Sequence, residues 1–410
     1  MSKENISGAA NEEEKEDVKG LPRKKEISKP DYDKFEREIC SHFEDLTNKI
    51  KVIKTTITPS GQILDWIRIE AQQPEGKISH PPPDPIIDIF DKEKQNDKFA
   101  KFELESSDAE LGPEGTVPIL RKDLKKLNFR KSLQDYLSKH GRKTYPMYIN
   151  EHDSLEVPTD GAHDYCYTAQ YVTCYGGEGY LSAFDPFLQW SNEFSLLQIA
   201  VVRGSGNGKQ TIEAGWQEYR DLYGDWVPHL FIFYTTNGYS QNGNNLGGYN
   251  RDVTGWVQYS NVVYPGVISS PNSVRGGDQY VMQIKYQLYQ GNWWLYCNGR
   301  WIGYYPAALF NESGLRSNAA KVAFYGEVID SSSHSGLSHT DMGSGYWPEY
   351  RWQWAAYLRS LRYQSNTSGS MSQYNAATIF ASDPDMYDIE SHVNSGSTWG
   401  SYAWLGGPGA

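Results

Sequence analysis

The chain has little of what membrane-spanning and disulfide-rich proteins require. No run of about 18 apolar residues occurs among its 410 residues, so nothing is expected to span a membrane. The first 30 residues are rich in Glu and Lys and lack the apolar core of a secretory signal. These residues predict a disordered tail. Two alternatives for the compartment stay open: the chain is cytoplasmic, or its natural start differs from the one given.

Cysteine is also scarce, and four residues in a chain of this length do not make a disulfide framework. Two readings of Cys166 and Cys174 remain open. They pair across a hairpin if the chain meets an oxidising compartment, or they are small buried thiols.

Basic charge is sparse in the second part of the chain. Residues 1–150 carry 27 Lys/Arg and 28 Asp/Glu, so the rest carries 12 and 23 and supplies −11 of the net charge of −12. Trp66 is the only tryptophan before residue 150, of 13 in all. An acidic, aromatic module without a basic stripe is a poor candidate for binding nucleic acid.

Several catalytic signatures are missing as well. There is no G-x-S-x-G elbow for a serine nucleophile. His334 and His339 lie in a Ser/Gly-rich loop without further ligands at a clear offset, so we predict no metal site and no cofactor. The glycine-rich residues 204–209 lead into a strand rather than a helix, which predicts a β-turn instead of a phosphate loop.

The chain divides into a disordered tail (1–30), a small α+β region (31–145) and an all-β module (150–410). The first region is predicted to hold a helix over 31–50, a hairpin over 51–69, a Pro-rich linker from 81 and a basic amphipathic helix over 122–140. Short alternating segments divided by turn residues predict an antiparallel sandwich or barrel in the module. The predicted strands are 195–202, 211–217, 229–236, 255–259, 279–288, 293–297, 301–305, 321–329 and 355–363.

Two glutamates within apolar strand-like segments are the strongest candidates for chemistry. Alternation places Glu213 on one strand face with Gln217, and Glu327 on one face with Tyr325. A buried carboxylate is costly unless it is paired, and two that face each other split into a base and an acid. The alternative is two ordinary glutamates that face solvent.

Other residues are candidates for the rest of such a site. Gln217 and Tyr234 are placed to stabilise an oxyanion beside the glutamates. Trp216 and Trp294 are candidates for a groove wall, because sugars and proline rings stack on aromatic faces, although most aromatic residues are expected in the core.

Several segments in order resemble the neprosin family of peptidases. They are residues 212–217 (IEAGWQ) with 222–225 (LYGD), 233–239 (FYTTNGY), 291–295 (GNWWL) with 302–306 (IGYYP), 325–328 (YGEV) with 338–345 (SHTDMGSG), and the glycine-rich end. The N-terminal region resembles the family's activation peptide, notably at residues 112–118 (GPEGTVP). The resemblance covers roughly residues 31–410.

The resemblance implies a twisted antiparallel β-sandwich and an endopeptidase that activates water with two glutamates. They would be Glu213 and Glu327, acting on peptide or protein substrates, in acid and beside proline. It also implies a secreted zymogen, in which we expect the N-terminal region to inhibit the module. A Cys pair usual in the family is absent from residues 241–249, which weakens the expectation of a disulfide there. The alternatives are a glycoside hydrolase and a non-catalytic lectin-like binder.

Overall fold

The computed structural model describes residues 29–47, 50–84, 96–106, 109–124, 132–139, 163–189, 191, 193–329, 340–375, 378–395 and 399–407. His334 and His339 lie outside these residues. The helices in the described part are α1 (Lys29–Thr47), α2 (Glu103–Ser106), α3 (Leu133–Leu137) and α4 (Arg220–Tyr223). Short 3-10 helices cover Ile69–Gln72, Gly206–Gly208, Ala307–Leu309 and Pro348–Tyr350.

Strands make up most of the rest. In chain order they are β1 (Val52–Ile57), β2 (Ile63–Arg68), β3 (Lys98–Phe99), β4 (Lys101–Phe102), β5 (Thr116–Leu120), β6 (His163–Cys174), β7 (Gly176–Ser182), β8 (Phe194–Arg203), β9 (Gln210–Glu218), β10 (His229–Thr235), β11 (Gly247–Tyr249), β12 (Val257–Gln258), β13 (Ser269–Ser270), β14 (Tyr280–Tyr289), β15 (Asn292–Cys297), β16 (Arg300–Pro306), β17 (Ala319–Ile329), β18 (Ala356–Gln364), β19 (Met371–Gln373), β20 (Thr378–Ala381), β21 (Asp388–His392) and β22 (Tyr402–Gly406).

Two large sheets form the β-module. One has seven strands in the order β11-β10-β9-β8-β17-β6-β20, and the other runs β12-β16-β15-β14-β7-β18-β22-β21, with β19 on β18 and β3 on β14. Among the described strands, every pair is antiparallel except that between β14 and β3. The all-β, antiparallel class predicted from the sequence is confirmed.

Glycines let the two sheets approach closely. A Cβ at Gly177 of β7 would lie 2.6 Å from Val322 and 3.1 Å from Ile199, which belong to the facing sheet. Trp216 of β9 is fully buried in the same layer, and its indole Nε1 donates to the carbonyl of Ser182 at 2.7 Å. The two sheets therefore stack face to face, as in a β-sandwich.

The N-terminal region is attached to the sandwich at several points. β1, β2 and β5 form a separate sheet, whereas β3 extends the ten-stranded sheet and β4 pairs with β13. Asp97 forms a buried ion pair of 2.7 Å with Arg359 of β18. The predicted helix over 31–50 and the hairpin are confirmed as α1, β1 and β2.

The predicted basic helix over 122–140 is wrong as a continuous element. Among its described residues, only Leu133–Leu137 is helical. Ser132 caps this turn by accepting from the amide of Asp135, and Ser138 is already extended, at φ −79° and ψ 139°. The chain thus leaves the helix immediately before Lys139.

A hairpin disulfide between Cys166 and Cys174 is also excluded. Both thiols are buried and free, and they lie on the single strand β6, eight residues apart. At about 3.3 Å per residue their Cα atoms are far beyond the reach of a disulfide.

We expect Trp216→Ala to lower the free energy of unfolding by about 3–5 kcal/mol, because it removes a fully buried indole from between the sheets. Urea denaturation at neutral pH measures this. Trp226→Ala is the matched control, because Trp226 is 46% exposed, and its effect should stay within about 0.5 kcal/mol. Equal shifts in both variants would contradict the assignment of Trp216 to the sandwich core.

Candidate active site

Glu213 and Glu327 lie on the same face of the seven-stranded sheet. Glu213 of β9 is opposite Ala200 of β8, and Glu327 of β17 is opposite Leu196 of the same strand. The intervening Ile199 points to the other face, where it approaches Gly177. Alternation therefore directs both glutamates away from the sandwich core, onto what we call the cleft face.

The ammonium group of Lys139 lies between the two carboxyl groups. Its Nζ is 2.6 Å from Oε2 of Glu213 and 2.6 Å from Oε2 of Glu327. The two contacts limit the separation of these oxygens to 5.2 Å. Lys139 is 3% exposed and both glutamates are 0% exposed, so this ion triad is buried. One cation supplied by the N-terminal region thus fills the space between two carboxyl groups.

Each glutamate is held by further partners. Oε1 of Glu213 accepts from the hydroxyls of Thr211 at 2.8 Å and Tyr239 at 2.6 Å. Oε1 of Glu327 is 2.9 Å from Nδ1 of His163, and Tyr165 also hydrogen-bonds this carboxylate. Such contacts fix the orientation of both carboxyl groups.

The charged groups of the triad shift the pKa values of Glu327 and Lys139. Burial alone would raise the pKa of Glu327, but the charge of Lys139 and the contact with His163 lower it to about 2. Burial would lower the pKa of Lys139, but its two carboxylate partners outweigh this and raise it. Burial and the Glu213 carboxylate raise the pKa of Tyr239 well above its usual value, so this hydroxyl is a neutral donor.

Two more lysines lie near Glu213. Lys209 and Lys321 each have a pKa lowered to about 8 by burial, partly offset by the charge of Glu213. Lys209 ends the glycine-rich segment, which forms a turn with a 3-10 helix at Gly206–Gly208, as predicted. This edge of the cleft face is therefore basic, although the module as a whole is acidic.

The other sequence-based candidates lie in different places. Gln217 is on the cleft face, and its Nε2 donates to the hydroxyl of Tyr249 at 3.2 Å. Tyr234 pairs with Ile212 on the opposite face, where its hydroxyl donates to the carbonyl of Thr254. The placement of Tyr234 beside the glutamates is thus corrected, since alternation from Phe233, opposite Glu213, turns it away.

The two tryptophans also lie away from the cleft face. Trp216 is in the sandwich core, and Trp294 packs on the outer face of the ten-stranded sheet with Trp301 and Tyr304. Neither lines a groove beside the glutamates.

Sequence reasoning missed Lys139, His163 and Tyr239. A basic charge at the end of an N-terminal region that faces an acidic module was the available signal for Lys139. No pattern gave a role to the other two: Tyr239 lies in the family-like segment 233–239, in the turn after β10, and His163 reaches the site because β6 pairs with β17. In the described residues, no group of three or more His, Cys, Asp or Glu is placed to hold a metal ion. No helix of this part is long and apolar enough to cross a membrane.

The fold is a β-sandwich, and its candidate active site is a pair of buried glutamates on one sheet. Comparison with known proteins gives the family. The neprosin family model matches residues 191–408, more than half of the chain. The chain belongs to the neprosin family. This assignment supports a peptidase, which implies peptide or protein substrates.

Solved structures give weaker likenesses. A scytalido-glutamic peptidase with a transition-state analogue inhibitor is 9% identical, with a TM-score of 0.29, and covers 60% of this chain and 98% of its own. SCP-B, an eqolisin-family peptidase in complex with the tripeptide Ala-Ile-His, is 8% identical, with a TM-score of 0.30 and the same two coverages. TM-scores below 0.5 do not establish a shared fold, so the assignment rests on the family match.

We expect Lys139→Met to destabilise the chain at neutral pH, because it leaves two buried carboxyl groups without their cation. The pKa of Glu327 falls from 4.5 to about 2 in the folded chain. This stabilisation is therefore present above about pH 4.5 and is lost as the pH falls towards 2. Thermal unfolding of both proteins between pH 7 and pH 3 should show a difference that shrinks in acid.

Lys54→Met is the matched control for this measurement. Lys54 forms an ion pair of the same length, 2.6 Å, with Glu110, but the two side chains are 32% and 70% exposed. Exposed pairs contribute about 0–1 kcal/mol, so its effect should be small. The difference in unfolding temperature between the wild type and Lys139→Met could instead be small at pH 7 or grow in acid. Either result would contradict stabilisation of the chain by the buried ion triad.

Proposed function

We propose that this chain is the zymogen of a glutamic endopeptidase, in which Glu213 and Glu327 activate water and Lys139 blocks them until acid releases it. The observation that carries the proposal is the convergence of two buried carboxyl groups to within 5.2 Å across one cation. Family membership supplies the reaction class.

The proposed reaction starts once Lys139 has left. Without the cation, two carboxyl groups this close hold one proton between them, since both cannot easily ionise. The ionised glutamate takes a proton from water as general base while the water oxygen attacks the peptide carbonyl carbon. The protonated glutamate donates its proton to the leaving nitrogen as the C–N bond breaks. Activity should fade above the upper pKa of the pair, which favours an acid optimum.

The same contacts support inhibition by the N-terminal region. Lys139 occupies the place that water and the scissile carbonyl would need, and it is bound most strongly to ionised carboxylates. Protonation of Glu327, whose pKa is about 2 beside Lys139, weakens that attraction, so falling pH favours release of Lys139. Cleavage in the segment between Lys139 and His163, outside the described residues, would then separate the inhibitor from the module.

Preference for proline is part of the proposal and rests on the aromatic surface beside the pair. Tyr165 and Tyr167 of β6 flank Tyr325 of β17, each with a ring centroid 6.4 Å away. Flat aromatic faces pack well against a pyrrolidine ring. Such a surface accounts for selection of proline next to the scissile bond.

A glycoside hydrolase is the second candidate, because retaining glycosidases hold their carboxyl groups about 5–5.5 Å apart. The upper limit of 5.2 Å between the two oxygens is compatible with that geometry, whereas the family assignment favours peptides. A panel of polysaccharides assayed beside the peptides decides between them.

We expect Glu213→Gln and Glu327→Gln each to lower kcat by at least about 10²-fold, since each removes a group that transfers protons. The substrates are peptides with one proline and matched peptides with alanine in its place, at about pH 4. Each variant is processed by a trace of tagged wild-type enzyme, which is then removed, so that loss of self-processing does not mimic loss of catalysis.

Glu178→Gln is the control, because Glu178 is also buried but lies in the ten-stranded sheet, where it accepts from Gln283. It should keep full activity. Wild-type activity in either catalytic-site variant would refute the mechanism, and equal cleavage of both peptides would refute the proline preference alone.

We expect unprocessed Lys139→Met to cleave peptides at about pH 5, where the unprocessed wild-type chain is still blocked by the ion triad. Peptide cleavage is followed together with electrophoresis, which confirms that the chain is intact. Lys54→Met should remain as blocked as the wild type. The inhibitory role of Lys139 is disproved if its variant stays inactive at every pH until it is processed.

A further inference from the structure

Gln198 of β8 is a buried amide that forms no hydrogen bond. Its side chain is 0% exposed, and neither Nε2 nor Oε1 has a partner among the described residues. A buried amide normally makes hydrogen bonds, and leaving one without them costs about 1–3 kcal/mol for each group. An unpaired group of this kind calls for a partner other than the described residues of the resting chain.

Strand register places Gln198 at the centre of the glutamate pair. Glu213 is opposite Ala200 and Glu327 is opposite Leu196, so Gln198 lies midway on the strand between them, on the same cleft face. It is the diagonal neighbour of each glutamate, a relation that spans about 7–8 Å and is within reach of long side chains.

One of the two residues directly beside Gln198 has no side chain to cover its amide. Its partner on β9 is Gly215, which has no side chain to cover it, and its partner on β17 is Tyr325. The ring centroid of Tyr325 is 5.7 Å from Nζ of Lys139. The ammonium group therefore lies beside the ring of the residue that pairs with Gln198.

We propose that Gln198 is a third catalytic residue, whose side-chain N–H donates a hydrogen bond to the scissile carbonyl oxygen as that oxygen becomes negatively charged. The inference rests on the proposed function and adds the group that the glutamate pair lacks, a neutral donor that stays in place throughout the reaction. Water forms the new C–O bond, the carbonyl π electrons move to the oxygen held by Gln198, and they return as the C–N bond breaks.

Three other donors are excluded, two by their contacts and one by the face on which it lies. Nε2 of Gln217 donates to Tyr249, and the hydroxyl of Tyr234 lies on the opposite face. The hydroxyl of Tyr239 donates to Glu213. Gln198 is the buried amide on the cleft face whose donor is unused within the described chain.

The test is Gln198→Met, which keeps the size of the side chain but removes its hydrogen bonding. We expect kcat to fall about 10²- to 10³-fold, the loss typical of one oxyanion donor, with KM changed by less than about 3-fold. The unfolding temperature of the unprocessed chain at pH 7 should stay the same or rise, because an unpaired buried amide is replaced by an apolar group. A merely structural glutamine would give the reverse, lower stability with little change in kcat.

Gln198→Asn is the second variant, since it keeps the amide but shortens its reach by one methylene, and kcat should fall as in the Met variant. Gln364→Met is the control, because Gln364 is buried in the other sheet with an unpartnered Oε1, and it should keep full activity. All chains are processed by removable wild-type enzyme. Activity within about 3-fold of wild type in either Gln198 variant overturns the inference.

The glutamate variants assayed in parallel separate the two proposals. If Glu213→Gln and Glu327→Gln are inactive while Gln198→Met is fully active, only the role of Gln198 fails. If the glutamate variants are active, the proposed function fails and this inference fails with it.

Discussion

One buried ammonium group, Nζ of Lys139, neutralises two carboxyl groups that the folding of the sandwich brings together. Burying a carboxylate is costly, and burying two within 5.2 Å of each other is more so unless a cation or a proton compensates. The resting chain uses a cation, and the active enzyme that we propose uses a proton. Inhibition and catalysis then depend on the same electrostatic constraint, and pH decides which of the two compensates the pair.

The sheet supplies the geometry that this constraint requires. β8 separates β9 from β17, so two residues 114 positions apart in sequence face one another across a single strand. Hydroxyl groups and an imidazole fix the outer oxygens of both glutamates, which leaves the inner oxygens to share whatever lies between them. Gln198 lies at the centre of this arrangement, with its amide unpaired.

Much of the fold follows from the sequence, because alternation in strands and turn residues are local signals. The strands that carry Glu213 and Glu327, and the faces on which these lie, were predicted from such alternation. Their convergence was expected as a hypothesis and from the family resemblance, but alternation alone does not give it, since it depends on which strand lies between β9 and β17. Tyr234 was misplaced for the related reason that its face is set by pairing with β9. The prediction of a continuous helix through Lys139 was wrong because Ser138 is extended, so Lys139 lies outside the helix.

Infrared spectroscopy of the Lys139→Met and wild-type chains reports whether the glutamate pair keeps a proton once the ammonium group is gone. Glu218, whose pKa burial raises to about 9, contributes equally to both chains and cancels in their difference spectrum. At about pH 6 we expect one additional protonated carboxyl band in the variant, which disappears when Glu213→Gln and Glu327→Gln are both added, because the pair then holds no carboxyl group. If that band is absent, both glutamates stay ionised without the ammonium group. The statement that a cation or a proton must compensate the pair would then be wrong.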